Sequence, residues 1–315
     1  MERKKGSKRG PAKLGESDKK NIIFICLVAL IPIVQFLIFY VYVNINSVIM
    51  AFQEYVIDPT TDRGSYVWYG LENFSRVVNA FSKNGNLLAA LKNSCIYYFV
   101  SVLVGISVGL FCSFYIYKKR HCSSFFKIML FLPSIVSSMA LIIIFKYFAN
   151  FGVPMLLKSW FGVDVGSLIN TEKTAFGTVL FFGIWFGIGN NVLIYLGTMS
   201  GISESLVEAA KLDGANMFQE FIHVTFPSVY PTVSTFVVTG LAAFFTADMG
   251  LYSFFSYGAP NSVQTIGYYL LKETRAASFD GYPYLAALGL VFTIITIPLT
   301  IVVRHALEKL GPSAD

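Results

Sequence analysis

The chain has 315 residues, of which 55% are hydrophobic and only 13% are charged, and its formal net charge is +6. Soluble domains carry about 25% charged residues. The composition therefore excludes a soluble globular domain and predicts an integral membrane protein.

Long runs without charge predict the membrane-spanning helices. A helix rises about 1.5 Å per residue, so about 20 residues cross a hydrocarbon core of about 30 Å. In lipid the backbone must satisfy its own hydrogen bonds, which favours helices. We therefore predict an all-α, polytopic membrane protein with six transmembrane helices. In chain order the uncharged runs are Ile22–Val43, Ser94–Tyr117, Ile128–Phe145, Ala175–Ile202, Val224–Ala247 and Gly281–Val303.

A further uncharged stretch, Met249–Leu271, is interrupted by residues 258–262, Gly-Ala-Pro-Asn-Ser. Its two apolar pieces are too short to span. We interpret it as the end of the fifth helix, an exposed loop, and an interfacial or re-entrant piece. Whether residues 257–272 lie on the surface or re-enter the protein is left open.

Positive charge near helix ends predicts the orientation. Residues 1–20 hold eight of the 24 Lys and Arg, and Arg304 and Lys309 follow the sixth run. Such residues mark the cytoplasmic side, so both termini are expected in the cytoplasm. The basic tail is also compatible with nucleic acid or anionic lipid, but a topology signal explains it more simply, and no nucleic-acid partner is predicted. The predicted divisions are a basic tail 1–20, a transmembrane domain 21–309 that includes a cytoplasmic loop 200–227, and a tail 310–315.

Motifs for catalysis are missing from the sequence. It contains no G-x-x-x-x-G-K-[ST] loop for ATP, no H-E-x-x-H and no C-x-x-C, and its four cysteines have no metal-ligand spacing. Its three histidines lie far apart in the chain. We therefore expect no enzyme activity, no metal and no cofactor in this chain, and favour transport.

The loop 200–227 carries a predicted helix. Ser205 and Glu208 fit a capping box, which starts a helix. An apolar face at helical spacing then follows, formed by Leu206, Ala209 and Ala210.

Asp213 and Gly214 are predicted to stop this helix, because glycine tolerates the left-handed conformation found at helix ends. A second helical stretch, Ala215–Val224, is predicted to run toward Pro227. The result is a helix, a tight turn and a second helix, which is more than a simple connection requires.

The amphipathic loop suggests a docking element for a partner protein. The alternative is a helix lying on the membrane surface. A helix that seeks anionic lipid should be basic, whereas this loop has one lysine, Lys211, against four acids. The acids are Glu204, Glu208, Asp213 and Glu220.

The loop reads E-A-A-x3-G-x9-V-x-F-P from Glu208 to Pro227. It resembles the E-A-A loop of permease subunits in binding-protein-dependent ABC importers, which usually ends in I-x-L-P. Residues 208–215, Glu-Ala-Ala-Lys-Leu-Asp-Gly-Ala, are similar to the carbohydrate-uptake branch. The chain is most similar to the maltose-type inner-membrane components of this family. Four further stretches resemble family motifs: Gly70-Leu71-Glu72-Asn73-Phe74, Leu91-Lys92-Asn93-Ser94, Phe131-Leu132-Pro133 and Gly258-Ala259-Pro260.

The resemblance implies a type I ABC importer permease fold in a bacterial cell membrane. It also implies a second permease subunit, two ATPase subunits that hold ATP and Mg, an extracytoplasmic solute-binding protein, and a carbohydrate as solute. In such permeases the E-A-A loop forms the coupling helix that seats on the ATPase. The residues implied in that contact are Glu208, Ala209, Ala210, Asp213 and Gly214.

Polar groups within spans are costly and often functional. The resemblance places Asn190 and Asn191 of the fourth helix, and Asp248 at the end of the fifth, where related importers contact sugar. Phe245 and Tyr252 have rings that suit stacking on a sugar. The alternatives are interhelical hydrogen bonds for the asparagines, an outer-interface position for Asp248, and lipid or core packing for the rings.

A stand-alone secondary transporter is the main rival interpretation. It would show inverted repeats and buried acidic ion sites, and neither is evident. A membrane enzyme or scaffold is disfavoured because ionisable residues do not cluster at one membrane face. Which carbohydrate is carried, and whether the permease is a homo- or heterodimer, is left open.

Overall fold

A computed structural model describes residues 16–60, 62–83 and 85–312. Within these ranges six helices are long and apolar enough to cross a membrane, which confirms the predicted all-α fold with six spans. The predicted basic tail falls mostly outside the described residues, as do the last three residues of the chain. The first to sixth spans are Lys20–Met50, Gly85–Tyr117, Ser138–Phe161, Glu172–Met199, Met217–Ala242 and Tyr282–Leu310.

The first span lies largely apart from the rest of the described chain. None of its most apolar window is buried, and only its last turns pack against the sixth span. Its exposed surface is mostly apolar, with polar exceptions such as Gln35, Asn44 and Asn46, as expected for a helix surrounded by lipid or by another subunit. It consists of α1 (Glu16–Phe36), a π-helical segment (Leu37–Tyr42) and α2 (Val43–Met50).

A two-stranded antiparallel hairpin follows the first span and is not among the predicted elements. Strand β1 (Gln53–Ile57) pairs with β2 (Gly64–Trp68), with Gln53 opposite Trp68. The buried Asn73 amide fastens the hairpin to the first span, since it donates to the carbonyls of Ala51 at 3.1 Å and Gln53 at 2.7 Å. We call this side of the bundle the hairpin face, and the side that carries residues 200–216 the loop face.

The second span is longer than predicted. It begins at Gly85, whereas the uncharged run begins at Ser94, after Lys92. Lys92 is exposed near the helix end, where a lysine reaches the polar interface while its stem covers apolar surface. The elements here are α3 (Glu72–Lys83), α4 (Gly85–Val100), a π-helical segment (Ser101–Ile106) and α5 (Ser107–Tyr117).

The predicted single helix Ile128–Phe145 is wrong, because the chain breaks at Val136 and Ser137, which are extended. Pro133 lies in the turn before the break and has no N–H to donate to the helix. The pieces are α6 (Ser123–Ile135), α7 (Ser138–Tyr147), a π-helical segment (Phe148–Gly152) and α8 (Val153–Phe161).

Helix α9 (Glu172–Met199) is the fourth span and packs against both α5 and α6. A Cβ added at Gly189 would lie 2.4 Å from the Leu130 carbonyl oxygen of α6. One added at Gly109 of α5 would lie 3.3 Å from Asn191. Small residues therefore let these helices approach closely, as is common in membrane bundles.

The fifth and sixth spans flank a segment that re-enters the protein at the hairpin face. Residues 263–268 are all buried, so this part of residues 257–272 lies inside the protein, whereas Tyr257, Gly258, Asn261 and Ser262 are exposed. The remaining helices are α10 (Glu204–Leu212), α11 (Met217–Glu220), α12 (Phe226–Ala242), α13 (Leu251–Phe255), α14 (Ile266–Ala276) and α15 (Tyr282–Leu310).

Side chains satisfy the backbone of this buried segment. The Asn93 amide donates to the carbonyls of Ser262 at 3.0 Å and Gln264 at 2.9 Å, and the Ser94 hydroxyl accepts from the N–H of Ile266 at 3.0 Å. Irregular backbone at this depth requires such partners. The Leu91–Ser94 stretch therefore forms hydrogen bonds to the backbone of the segment that follows Gly258-Ala259-Pro260.

Candidate coupling loop and solute site

Helix α10 carries the E-A-A residues on the loop face. It begins at Glu204 with Ser203 at the N-cap position. The predicted capping box of Ser205 with Glu208 is wrong, because Ser205 already lies within the helix and its hydroxyl is bonded to that of Ser203 at 2.7 Å. The Ser205 hydroxyl is therefore bonded to the Ser203 side chain and not to the backbone N–H that a capping box requires.

The capping box lies instead at the start of α11. The Asn216 side chain accepts from the N–H of Phe218 and Gln219, and Gln219 accepts from the Asn216 N–H at 2.8 Å. The second loop helix accordingly begins at Met217 rather than at Ala215. An Asn followed three residues later by Gln was the sequence signal for this start.

The predicted stop after α10 is confirmed. The helix ends at Leu212, Asp213 is its C-cap, and Gly214 has φ of +78°. A Cβ at Gly214 would meet nothing within 4 Å. The backbone conformation, and not crowding, therefore calls for glycine at this turn.

The helix and its turn present an exposed surface. Glu208, Ala209, Asp213 and Gly214 are exposed, and Ala210 is half-buried. The structure thus brings together all five residues predicted to meet the ATPase. Large apolar side chains beside them also face outward, with exposed fractions of 54% for Leu206, 88% for Leu212 and 64% for Phe218.

A buried ion pair that the sequence did not reveal attaches this loop to the second span. Glu220 at the end of α11 pairs with Lys118 directly after α5, and their side chains are only 6% and 16% exposed. Among the loop acids, Glu220 looked no different from the exposed ones. Its burial arises from tertiary packing of α11 against α5.

The predicted second loop helix, Ala215–Val224, does not end before Pro227. The chain continues from Met217 to Ala242 through a π-helical segment, Phe221–Thr225. A proline cannot donate the usual backbone bond, and a π turn directly before it accommodates that loss. Proline is tolerated here for this reason.

The two asparagines of α9 point in different directions. Asn190 is exposed and lies on the helix face of Gly183, two turns away. Asn191 packs against Gly109 of α5. Asn190 is thus available to a solute, whereas Asn191 lies at a helix–helix contact.

Asp248 lies in a sharp turn after the fifth span. It accepts the N–H of Gly250 at 3.1 Å, and both Met249 and Gly250 have positive φ. Its neighbour Met249 belongs to a buried apolar cluster, and Tyr97 packs against that cluster. Tyr97 in turn packs against Gly183 of α9.

Tyr97 therefore lies between the Gly183 side of α9 and the buried cluster next to Asp248, and sequence reasoning missed it. It was one of many aromatic residues in an apolar run, with no signal of its own. Together Asn190, Tyr97 and Asp248 offer an amide, a phenol ring and a carboxylate, which suit the hydroxyls and the apolar face of a sugar.

The predicted ring contacts lie elsewhere. Phe245 stacks on Phe292 of the sixth span with centroids 4.3 Å apart, and it lines a cleft between α2, α12 and α15. Its neighbour Phe244 instead packs edge-on against Tyr98. Phe245 thus faces away from the Tyr97 side of the fifth span.

Tyr252 lies on the hairpin face, where Arg275 covers its ring at 4.5 Å and Tyr257 meets it edge-on at 5.5 Å. A hydrogen bond from Tyr257, together with the Arg275 guanidinium, holds the pKa of Tyr252 below its ordinary value against the opposing effect of desolvation. The rings of Tyr252 and Phe245 are therefore occupied by contacts with Arg275, Tyr257 and Phe292.

Among the described residues, no three His, Cys, Asp or Glu side chains come together as a group able to hold a metal ion.

Six apolar helices define a multi-pass membrane protein, and an exposed acidic helix and turn lie on one of its faces. The chain belongs to the family of binding-protein-dependent transport system inner membrane components, which it matches over residues 101–313. The prediction made from the E-A-A loop is thereby confirmed at the level of the family.

Several curated proteins are similar over most of the chain. The arabinooligosaccharides transport system permease protein AraP of Bacillus subtilis is 27% identical over 277 residues, covering 86% of this chain and 84% of AraP. The multiple sugar-binding transport system permease protein MsmF of Streptococcus mutans is 25% identical, covering 78% and 82%. The maltose/maltodextrin permease protein MalF of Vibrio vulnificus is 26% identical, covering 71% of this chain and 44% of MalF.

A solved structure shares the fold. A chain of a bacterial ABC transporter involved in the import of the acidic polysaccharide alginate superposes with a TM-score of 0.76 at 20% identity, covering 93% of this chain and 98% of that one. A second structure of an alginate ABC transporter, in complex with a periplasmic protein that holds an alginate pentasaccharide, gives a TM-score of 0.75. The permease fold is therefore that of an ABC importer.

Proposed function

We propose that this chain is the permease subunit of an ABC importer that moves a carbohydrate into a bacterial cell, driven by ATP hydrolysis on separate ATPase subunits. The observation that carries the proposal is the exposed Glu208–Gly214 helix and turn in a chain of this family that has no phosphate-binding loop of its own. The relatives named for arabinooligosaccharide, multiple-sugar and maltose transport support carbohydrate as the solute class.

The proposal assigns each face of the bundle a partner. The loop face and both termini lie in the cytoplasm, where α10 seats on an ATPase that carries ATP and Mg. The hairpin face lies outside, where a solute-binding protein delivers the carbohydrate. A second permease subunit completes the translocation path, and this chain itself catalyses no reaction and holds no cofactor.

We propose that solute contacts Asn190 and Asp248, with Tyr97 between them. A carboxylate accepts two hydroxyl donors, and amides both donate and accept. Asn191, Phe245 and Tyr252 were predicted as contacts too. Their packing against Gly109, Phe292 and Arg275 favours supporting roles for them.

Reconstitution tests the proposed function. The chain, its second permease, the ATPase and the binding protein are placed together in proteoliposomes, and uptake of labelled oligosaccharides is measured with and without ATP. Uptake is expected only with all components and ATP. Uptake by this chain alone, driven by an ion gradient, would show a secondary transporter and refute the proposal.

Replacing Asp248 with asparagine is expected to lower the uptake rate by about tenfold, because hydrogen bonds to a charged group contribute about 1.5–3 kcal/mol. The measurement is initial uptake at saturating binding protein. Asp280→Asn, which changes an exposed carboxylate on the hairpin face, is the matched control. Equal rates for the two variants would contradict a role for Asp248 in solute contact.

A further inference from the structure

Two connections link the loop face to the spans. The first is the polypeptide chain itself, which contains a segment of irregular helix. Helix α11 continues into α12 through the π-helical segment Phe221–Thr225, with Pro227 in the first turn beyond it. Pro227 lacks an N–H, and π segments inside helices are sites of altered bonding. The backbone hydrogen bonds of a regular α-helix therefore do not continue unbroken from the coupling loop (residues 200–227) into the fifth span.

The second connection is the buried ion pair of Lys118 and Glu220. The ammonium of Lys118 also lies 5.6 Å from the ring of Phe114 and 5.5 Å from that of Tyr117. Glu220, the last residue of α11, thus pairs with an ammonium that also lies close to two aromatic rings. The pair therefore ties the coupling loop to the loop-face end of the second span.

Further contacts strengthen the same junction. The ring of Phe221, directly after Glu220, packs against Phe111 at 5.4 Å and Phe114 at 4.9 Å. The Arg120 guanidinium lies 3.0 Å from the sulfur of Met217 at the start of α11. By contrast, α10 has no buried residue of its own, so α11 carries the attachment.

The burial of both charges makes this connection costly to open. Separating a buried pair leaves an unpaired charge in a poorly solvated site, whereas an exposed pair separates freely. An ion pair between Arg304 and Glu308 on the same face is 69% and 56% exposed. The Lys118–Glu220 pair is thus suited to keep two helices together while the loop moves.

We propose that Lys118 and Glu220 are positioning residues for coupling: their ion pair makes the coupling loop and the end of the second span one moving body, with the π segment and Pro227 as the hinge to the fifth span. The inference rests on the proposed function. Motion imposed on α10 by an ATPase then reaches α5, and through it α9, which packs along α5.

The test uses the assembled importer in proteoliposomes and measures ATP hydrolysed per solute imported. Lys118→Met and Glu220→Gln each remove one charge, and the reciprocal variant Lys118→Glu with Glu220→Lys restores a pair. Both single variants should retain the ATPase on purification but raise the ratio by about fivefold or more, the low end of measured coupling energies. The reciprocal variant should return the ratio toward the unsubstituted value, and Glu308→Gln should leave it unchanged.

An unchanged ratio in both single variants would overturn the proposal. Loss of the ATPase on purification would also overturn it, because the pair would then shape the docking surface itself. Where a single variant fails to reach the membrane, the reciprocal variant decides: recovery of insertion and ratio supports the pair, and failure of recovery contradicts it. If the unsubstituted complex imports solute without ATP, the proposed function fails before any variant is compared.

Discussion

Replacing Gly214 with valine is expected to weaken ATPase binding and to lower ATP-driven uptake by about tenfold or more. Gly214 has φ of +78° in open space. The left-handed conformation costs other residues about 1–2 kcal/mol, and branched side chains more. The valine variant would therefore adopt the turn between α10, which carries Glu208, and α11 less often. Co-purification of the ATPase and initial uptake are the measurements.

The matched control is Gly162→Val. Gly162 ends α8 on the other side of the bundle with φ of +68°, and it too has no neighbour within 4 Å of an added Cβ. The backbone penalty is therefore the same, while the position is remote from the coupling loop. If the two variants retain the ATPase equally well, the coupling role of the Gly214 turn is contradicted.

Replacing Gly267 with alanine is expected to destabilise the re-entrant segment. An added Cβ would lie 2.5 Å from the Ala247 carbonyl oxygen and 2.5 Å from the Thr246 carbonyl carbon. These are backbone atoms, which cannot relieve the clash by changing rotamer as a side chain can. Overpacking of this kind costs about 1–3 kcal/mol, which corresponds to a fall in Tm of roughly 2–10 °C.

Thermal unfolding of the purified complex measures this effect, and uptake is measured alongside. Gly177→Ala is the control, because Gly177 lies in α9 with nothing within 4 Å of an added Cβ. The control should unfold at or slightly above the unsubstituted Tm, since alanine favours a helix. A Gly267 variant as stable as the control would show that the segment does not lie against the end of the fifth span.

The re-entrant segment also gives a structural role to a short stretch that resembles a family motif, Leu91–Ser94. Asn93 and Ser94 hold the backbone at Ser262, Gln264 and Ile266. Thr265 adds a bond from its hydroxyl to the Ala247 carbonyl at 3.0 Å. These side chains replace the backbone partners that a regular helix would have. The turn at Asp248 is thereby positioned by residues far away in the chain.

The sequence by itself determined the number of spans, the position of the E-A-A loop and the glycine at its turn. Each of these follows from a local property: the length of an uncharged run, an acidic amphipathic stretch between two runs, or the need for positive φ at one residue. The family followed from the same loop, since Glu208 to Pro227 are contiguous in the chain.

Only the tertiary structure decided which polar residues meet. The break at Val136, the burial of Glu220 against Lys118, and the packing of Tyr97 against the cluster that contains Met249 all depend on contacts between distant segments. Burial raises the cost of an unpaired polar group, and the partner that offsets this cost comes from another helix. A sequence pattern shows that a polar residue is present, whereas packing decides what that residue contacts.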